Sequence, residues 1–265
     1  VTASQQAPHA FDASAEVNGA DLAALVERLA VDARGTTGRV TGTLAATGQL
    51  DDPDSVSGRA ALQAFEGTWR ELPLRLERPA SFDWTSRNVT MRDVAASLAD
   101  VALAIDGELT TSGEARGLQA TLSGRAERMA AILTALDMRV PAVKGGVEAT
   151  LAVTGPAESP RIDGEFTIAD GELQWTDLPA ITGINADARV ADGVITLTSF
   201  AATAQDAGVT ATGHAPLRMF ADALPTVVAR RLPRSTVGTA SLDATLTNLT
   251  HATAMAFVGG RVPNV

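Results

Sequence analysis

Apolar and polar residues alternate along most of this chain, with the period of two residues that is typical of β-strands. In segment 147–154 every odd position is apolar, whereas Glu148, Thr150 and Thr154 are polar. The same alternation occurs in segments 11–17 and 184–190, and in segment 101–105 large apolar residues alternate with the smaller alanine. Each of these segments therefore presents one apolar face, and a helix would not keep these residues on one side.

Turn-forming residues separate the alternating segments. Asp, Gly and Pro cluster at Asp51–Ser55, at Ala169–Gly171 and at Ala191–Gly193. We expect strands of about 5 to 9 residues between such turns. Short connections of this kind join neighbouring antiparallel strands, so the sequence predicts a mainly β protein built from antiparallel meander sheets.

The chain also contains an internal repeat. The sequence LAATG at 44–48 returns as LAVTG at 151–155, an offset of 155 − 48 = 107, and Gly107 corresponds to Gly213 at an offset of 106. Trp69 and Trp175 recur at equivalent places beside Leu-Pro. A period of this length indicates a repeat architecture, in which each unit stacks on its neighbours.

A helical pattern precedes each LAxTG sequence. In the first two cases the apolar residues follow i, i+3, i+4, i+7 spacing, so we expect a short amphipathic helix at the start of each repeat. These residues are Leu22, Leu25, Val26 and Leu29, then Met129, Ile132, Leu133 and Leu136. A third start occurs at Phe220, Leu224, Val227 and Val228, where Pro225 breaks the pattern or begins a new helix. The predicted organisation is the end of a preceding unit at 1–17, repeats at 18–123 and 124–216, and a truncated repeat at 217–265.

Alanine is frequent on the apolar side of the predicted strands, for example at Ala13, Ala46, Ala149 and Ala186. A closed core between two sheets is normally filled by large interdigitating side chains. Small residues leave space, and space lined by apolar atoms suits an apolar ligand. The alternative interpretation is that the sheets pack closely and exclude any ligand.

Composition and motifs narrow the class of function. The chain has 31 Asp and Glu against 21 Lys and Arg, a formal charge of −10 that disfavours nucleic acid. Cysteine is absent, so disulfides and thiolate metal sites are excluded. His9, His214 and His251 lack metal-ligand spacing, and no hydrolase, zincin or P-loop motif occurs. We therefore expect neither an enzyme nor a cofactor.

The segment Leu151–Gly213 resembles the repeat of the AsmA-like and TamB proteins of Gram-negative envelopes. Its strand ending in Thr-Gly is followed by a spacer with Pro, a Gly-led strand, two Asp-Gly turns around an Leu-Pro crossing, and a closing strand ending in Gly213. The resemblance is looser over Leu44–Gly107, where Ser86-Arg-Asn88 replaces the second Asp-Gly turn and RLERPASFDW is inserted.

This resemblance implies that stacked β-units form a curved, taco-like groove with an apolar floor. It further implies a periplasmic lipid-transfer segment that shields phospholipid acyl chains between the inner and outer membranes. The protein would be tethered to the inner membrane by an anchor outside this sequence, and an outer-membrane barrel-assembly protein is an expected partner. The groove candidates are Leu44, Leu103, Ile105, Leu151, Val153, Phe166, Ile168, Leu173, Ile184 and Leu197, with Trp69 and Trp175 at a rim or structural corner.

Two other functions remain open at this point. A protein-binding scaffold or chaperone for outer-membrane protein assembly would receive client β-strands at an exposed sheet edge. A surface adhesin-type repeat protein would also be acidic and free of cysteine, but it would enclose a dry core.

Overall fold

The computed structural model describes most of the chain. The described residues are 2–3, 9–22, 35–110, 112–136, 142–156, 159–174, 179–223, 232–233, 235 and 238–250. They form fifteen β-strands, one α-helix and one 3₁₀ helix. Neighbouring strands within each unit pair in the antiparallel sense, as expected from the alternation and the short turns.

The chain forms two compact units. Unit 1 comprises Val1–Thr121 together with Ala152–Pro160, and unit 2 comprises Leu122–Leu151 together with Arg161–Val265. Each unit combines two separate segments of the chain. The predicted repeat limits at residues 17, 123 and 216 stay predictions.

Unit 1 is an antiparallel meander. Its strands are β1 (Thr2–Ala3), β2 (Ala10–Asp21), β3 (Thr36–Gln49), β4 (Asp52–Trp69), β5 (Leu72–Arg78), β6 (Ala80–Thr85), β7 (Asn88–Leu98), β8 (Val101–Thr110) and most of β9 (Ala115–Arg125). Successive strands pair, except that β5 and β6 both lie between β4 and β7. The two are separated at Pro79, which has no N–H to donate to a neighbouring strand.

Unit 2 begins with the end of β9, followed by the helix α1 (Ala126–Ala135). Its strands are β10 (Ala142–Gly155, of which 142–151 belong to this unit), β11 (Arg161–Gln174), β12 (Ile181–Ala191), β13 (Val194–Ala204), β14 (Ala207–Pro216) and β15 (Ser241–Thr247). They are hydrogen-bonded in sequence order. A 3₁₀ helix, Leu217–Ala223, follows β14.

One predicted turn is wrong. Ala169–Gly171 lies inside β11, where the register to β12 shifts between Ile168 and Gly171 and Asp170 has a φ of +50°. This is a β-bulge, whose extra residue moves the apolar positions from even to odd numbers without ending the strand. The Asp170 amide donates a hydrogen bond to Asn185 Oδ1 at 3.2 Å.

The same device occurs in β7 of unit 1. The register to β8 shifts between Met91 and Val94, Asp93 has a φ of +56°, and its amide donates to Asp106 Oδ1 at 2.7 Å. At such bulges the strand continues where the sequence resembles a turn. The strands are therefore longer than the predicted 5 to 9 residues, and β4 has 18. The predicted turn at Asp51–Ser55 is likewise shorter, since β4 already begins at Asp52.

Of the three predicted helices, the second is present in the structure, and most residues of the other two lie outside the described residues. Met129, Ile132 and Leu133 lie in α1, and Leu136 is its C-cap, so this helix is confirmed. Of the first predicted helix, Leu25, Val26 and Leu29 lie outside the described residues. Phe220 lies in the 3₁₀ helix, whereas Leu224, Val227 and Val228 lie outside the described residues. A helix at the start of every repeat is therefore not established.

A close glycine pair recurs in both units at the start of the LAxTG strand. Gly38 has a φ of +147°, and a Cβ placed there would lie 2.6 Å from the Gly67 Cα. Gly145 has a φ of +120°, and its Cβ would lie 2.7 Å from the Gly171 Cα. Only glycine combines this backbone conformation with this approach of two strands.

We predict that Gly145→Ala lowers the free energy of unfolding of the protein by about 1–3 kcal/mol, because the new methyl group meets backbone at a positive φ. Urea unfolding followed by circular dichroism measures this change. The control is the adjacent Gly146→Ala, whose Cβ meets nothing closer than 3.8 Å and should leave stability unchanged or raise it by about 0.5 kcal/mol. Equal losses in the two variants would contradict the glycine-pair interpretation.

The outer, polar face of unit 1 carries a carboxylate between two guanidinium groups. Arg59 Nε donates to Asp83 Oδ1 at 2.7 Å, and Arg92 Nη1 lies 2.7 Å from Asp83 Oδ2. The hydrogen bond from Arg59, assisted by the charge of Arg92, lowers the pKa of Asp83 below its ordinary value of 3.8. These ion pairs link β4, β6 and β7 across the face opposite the apolar one.

The linkage sign follows from this lowered pKa. Stability contributed by ionised Asp83 is fully present above the unfolded-state pKa and is lost as pH falls through the lower, folded-state pKa. We therefore predict that Asp83→Asn destabilises the protein at pH 7 and that the difference from the wild type begins to shrink as the pH falls below about 3.8 and is lost below the lower, folded-state pKa. Denaturant midpoints measured at several pH values test this, and a difference that is as large at pH 2 as at pH 7 would contradict it.

Candidate functional site

The register of unit 2 aligns large and small apolar residues in a row across five strands. Phe166 pairs with Ala188, Ala188 with Leu197, Leu197 with Gly213, and Gly213 with Leu242. Side chains directly opposite in an antiparallel sheet point to the same side, so all five positions lie on one face, which we call the apolar face. Along this row, large residues on β11, β13 and β15 flank small residues on β12 and β14.

A second row on the apolar face repeats part of this arrangement. Ile168 of β11 pairs with Ala186, and Ala186 pairs with Phe200 of β13. Ala186 and Ala188, which are successive on the apolar face of β12, thus lie between larger side chains on both neighbouring strands. Strands are about 4.8 Å apart, so the flanking strands are about 10 Å apart and a furrow runs along β12.

Burial on this face is inverted relative to a closed core. The alanines are buried, with Ala188 9% exposed, whereas Phe166 is 37% and Leu242 68% exposed. In a sandwich, the largest apolar side chains would be the most buried ones. Among the described residues, the buried hydrophobic set consists of alanines with two valines and Leu232. No second sheet covers the apolar face in the described part of unit 2.

Helix α1 covers one end of the furrow and leaves a cleft of about 460 Å³, which we call the helix cleft. Met129 and Leu133 line it from the helix, and Phe166, Ile184 and Phe200 are among the residues that line it from the strands. Its volume lies within the ~300–1,000 Å³ that is usual for small-molecule sites. Lys144 and Glu172 are the charged residues among those that line it.

A second cleft, of about 420 Å³, lies over β14 and is called here the β14 cleft. Ala188, Leu197, Gly213 and Leu242 line it, together with Phe220 of the 3₁₀ helix. The two clefts adjoin, because Phe166 lines the first and its direct cross-strand partner Ala188 lines the second. The apolar face of unit 2 therefore offers one continuous track.

The opposite face of the same strands is polar. Asp187 lies between Thr167 and Ser199 in adjacent strands, and it accepts hydrogen bonds from both hydroxyls, at 3.2 and 2.7 Å. Thr198 donates to the Asp187 backbone oxygen at 2.9 Å. This face therefore presents hydroxyl and carboxylate groups, in contrast to the apolar face.

Charged groups cluster where α1 begins. Lys144 Nζ donates to both carboxylate oxygens of Glu172 at 2.9 Å. Arg125 Nη2 donates to Glu127 Oε1 at 3.0 Å. That hydrogen bond lowers the pKa of Glu127, and the charge of Lys144 lowers it further. Two basic and two acidic side chains therefore lie near the start of α1, and of these Lys144 and Glu172 line the helix cleft.

The structure brings most of the predicted groove residues of unit 2 together. Phe166, Ile168, Leu173 and Ile184 line the helix cleft, and Leu197 lines the β14 cleft. Leu151 is 37% exposed in β10, and one of its methyl groups lies 2.7 Å from where a Cβ on Gly164 would be. Val153 is also in β10 but belongs to unit 1.

The predicted residues of unit 1 share one face of that unit. Leu44 pairs with Ala60, Ala60 with Phe82, and Phe82 with Met91, which faces Gly107 of β8. Leu103 and Ile105 precede Gly107 on the same side of β8, and Leu44 is 46% exposed. Here the small positions are partly filled, because the Trp84 ring contacts the place of a Cβ on Gly58.

Of the two tryptophans predicted at a rim or corner, only Trp69 lies among the described residues. Trp69 is the last residue of β4, pairs with Leu72 across a two-residue turn, and has the Arg70 guanidinium 5.4 Å from its ring centre. Arg70 and Glu71 both have positive φ, as a tight hairpin turn requires. The position is a corner of the strand pair. Trp175 lies outside the described residues.

Sequence reasoning missed three contributors to the site. Phe200 closes the furrow on the β13 side, but a bulge between Leu197 and Ala201 takes it out of simple alternation. The α1 residues Met129 and Leu133 are predicted only as part of an amphipathic helix, yet they also line a cleft. Lys144, the only lysine among 21 basic residues, is not among the predicted site residues, although it lines the same cleft.

Comparisons with protein-family models, with curated proteins and with solved structures found no match to this chain. Among the described residues, no group of three or more His, Asp or Glu side chains is arranged to hold a metal ion. Within the same residues, no helix has both the length and the apolar character needed to cross a membrane.

We predict that filling the furrow reduces binding of an apolar fluorescent probe. Ala188→Leu places a branched side chain between Phe166 and Leu197, and we expect its dissociation constant for anilinonaphthalene sulfonate to rise about fivefold or more. The matched control is Ala201→Leu, which adds the same atoms opposite Asn185 and Thr210 on the polar face. Fluorescence titration of the folded variants measures both, and equal effects would contradict the assigned faces.

Proposed function

We propose that this chain is a lipid-transfer segment that shields acyl chains along its apolar face. The observation that carries the proposal is the row of alternating large and small residues from Phe166 to Leu242, in which Ala188 is buried while Phe166 and Leu242 are 37% and 68% exposed. This arrangement leaves the helix cleft and the β14 cleft, of about 460 and 420 Å³, on the apolar face.

The width of the β12 furrow fits one hydrocarbon chain. A carbon chain in van der Waals contact with both walls needs about 8 Å between the flanking carbon atoms, since each contact spans about 4 Å. The flanking strands are about 10 Å apart, and their side chains narrow this distance. A flat, wide ring system would rest on Phe166 and Leu197 and leave the alanine floor empty.

The length of the track also suits a lipid. From Ile181 to Val190, β12 extends about 30 Å at roughly 3.3 Å per residue. One leaflet of a bilayer has a hydrocarbon thickness of about 15 Å, which is half of the ~30 Å core. A single acyl chain therefore occupies only part of the track, and it has further apolar surface to advance onto.

Open furrows favour transfer over storage. Each CH₂ removed from water contributes about 0.8 kcal/mol, and this gain is the same at each position along a uniform apolar floor. A chain that slides by one residue exchanges equivalent contacts. A closed pocket would instead hold the ligand at one depth and release it slowly.

The cellular setting belongs to the same proposal. Turn spacing similar to that of AsmA-like and TamB proteins supports a periplasmic location, with a tether to the inner membrane outside this sequence and a role in outer-membrane biogenesis. In this setting, the repeats would form the curved groove that the resemblance implies. An outer-membrane barrel-assembly protein is the proposed protein partner.

The test uses two adjacent residues of β13 that face opposite sides. We predict that Leu197→Arg abolishes stoichiometric binding of a photoreactive phospholipid while leaving the circular dichroism spectrum unchanged, because a guanidinium in the furrow places charge where hydrocarbon must lie. The control Thr196→Arg lies opposite Arg189 and His214 on the polar face and should bind lipid as the wild type does.

Two results count against lipid transfer. If Leu197→Arg unfolds the protein while Thr196→Arg does not, the apolar face is a packed core. If both variants and the wild type carry no lipid by mass spectrometry after incubation with phospholipid vesicles, the face has another use.

Strand β15 favours a second candidate, a scaffold for client β-strands. All seven of its residues are exposed, and it is the last strand of the described sheet order. An extended peptide can add to such an edge through backbone hydrogen bonds. Tight binding of an outer-membrane strand peptide that Leu242→Pro abolishes, in a protein that carries no lipid, would select this candidate.

A further inference from the structure

Helix α1 distinguishes one end of the apolar track from the rest. Met129 and Leu133 line the helix cleft from the helix. Ile181 and Ile184, at the start of β12, line the same cleft, whereas Ala188, further along β12, lines the β14 cleft. The track along β12 therefore starts beneath the helix and leads away from it.

The wall of the helix cleft is almost entirely apolar, although Lys144 and Glu172 are among the residues that line it. Glu172 lies between Gly171 and Leu173 in β11, and both of these neighbours are on the apolar face, opposite isoleucines of β12. Because alternate residues of a strand face opposite sides, the Glu172 carboxylate belongs to the polar side of the sheet. Lys144 Nζ donates to both oxygens of this carboxylate at 2.9 Å, so the ammonium lies there too.

This chemistry decides which part of an amphiphile the helix cleft accepts. A polar group that enters the cleft loses its hydrogen bonds to water and meets an apolar wall, which is unfavourable. A hydrocarbon chain, in contrast, contacts the strands on one side and Met129 and Leu133 of α1 on the other. The cleft therefore favours the part of the ligand that is free of polar atoms.

We infer that the helix cleft receives the methyl end of an acyl chain and so orients the bound lipid, with the polar end of the lipid directed away from α1. This inference rests on the proposed lipid binding and adds a substrate class to it. The ligands are amphiphiles whose chain ends in unsubstituted hydrocarbon, and chains with a polar group at the far end are rejected.

The opposite orientation, with the headgroup beneath α1, is disfavoured by the same residues. An anionic headgroup would have to take Lys144 from Glu172, which holds the ammonium through both carboxylate oxygens. The formal charge of −10 on the chain also repels an anionic headgroup at long range. A cationic headgroup would in turn compete with Lys144 for Glu172.

The experiment compares dodecanoate with 12-hydroxydodecanoate, two ligands of equal charge and equal chain length that differ only at the far end of the chain. Calorimetric titration of the full chain is carried out below the micellar concentration of both ligands. The dissociation constant should be about tenfold or more higher for the hydroxy acid. The reason is that its terminal hydroxyl gives up hydrogen bonds to water and finds none in the cleft.

Two neighbouring alanines of α1 assign this difference to the cleft. Ala130 lines the helix cleft, and the adjacent Ala131 is not among the residues that line it. In Ala130→Phe the new ring occupies the cleft and keeps the chain end outside, so the difference between the two ligands should fall to about twofold or less. The matched control Ala131→Phe adds the same ring and should keep the wild-type difference.

Met129→Gln tests the same point without a large change in side-chain size, should Ala130→Phe fail to fold. Its amide offers a donor and an acceptor inside the cleft. The terminal hydroxyl then finds a hydrogen-bond partner, whereas the methyl end of dodecanoate meets a polar group. The difference between the two ligands should therefore shrink to about threefold or less.

The outcomes separate this inference from the proposed function. Equal affinity of the wild type for the two ligands, or tighter binding of the hydroxy acid, overturns the orientation but leaves acyl-chain binding intact. A difference that survives both Ala130→Phe and Met129→Gln, or that is lost equally in Ala131→Phe, also overturns it. Absence of binding of both ligands overturns the proposed function together with this inference.

Discussion

The structure of unit 2 depends on the size difference between neighbouring residues on one face of its sheet. Backbone hydrogen bonds fix the register, and the register places Ala188 and Gly213 between Phe166, Leu197 and Leu242. At these positions the small residues lie low on the sheet surface, and the larger side chains on the neighbouring strands project beyond them on both sides. If the small positions carried leucine, the face would be a flat apolar surface, prone to pair with another such surface.

Two further features shape how this face is used. Bulges at Asp93 and Asp170 let each strand continue while its apolar positions change parity, so a long strand keeps one apolar side. Helix α1 then lies over one end of the face without filling it and brings ionised groups to its edge. One unit thus presents an apolar surface and a charged surface next to each other.

Much of the fold could be predicted from the sequence, because alternation fixes strand faces and the repeat fixes their order. Alternation at Ile184 to Val190 placed β12 correctly, and i, i+3, i+4 spacing placed α1. Asp170-Gly171 was misread as a turn because a turn and a bulge demand the same positive φ, and only pairing with Asn185 on the next strand distinguishes them. Cross-strand neighbours such as Phe166 and Ala188 are likewise invisible without a register.

The proposed lipid transfer requires that the apolar face of unit 2 admits hydrocarbon and that the opposite face does not. A photoreactive amino acid placed at Phe166 or at the adjacent Glu165 tests this requirement, since the two positions pair with Ala188 and Arg189 on opposite sides of the sheet. After incubation with phospholipid vesicles and irradiation, we expect a lipid adduct by mass spectrometry from position 166 alone. Adducts of equal yield from both positions, or from neither, would contradict it.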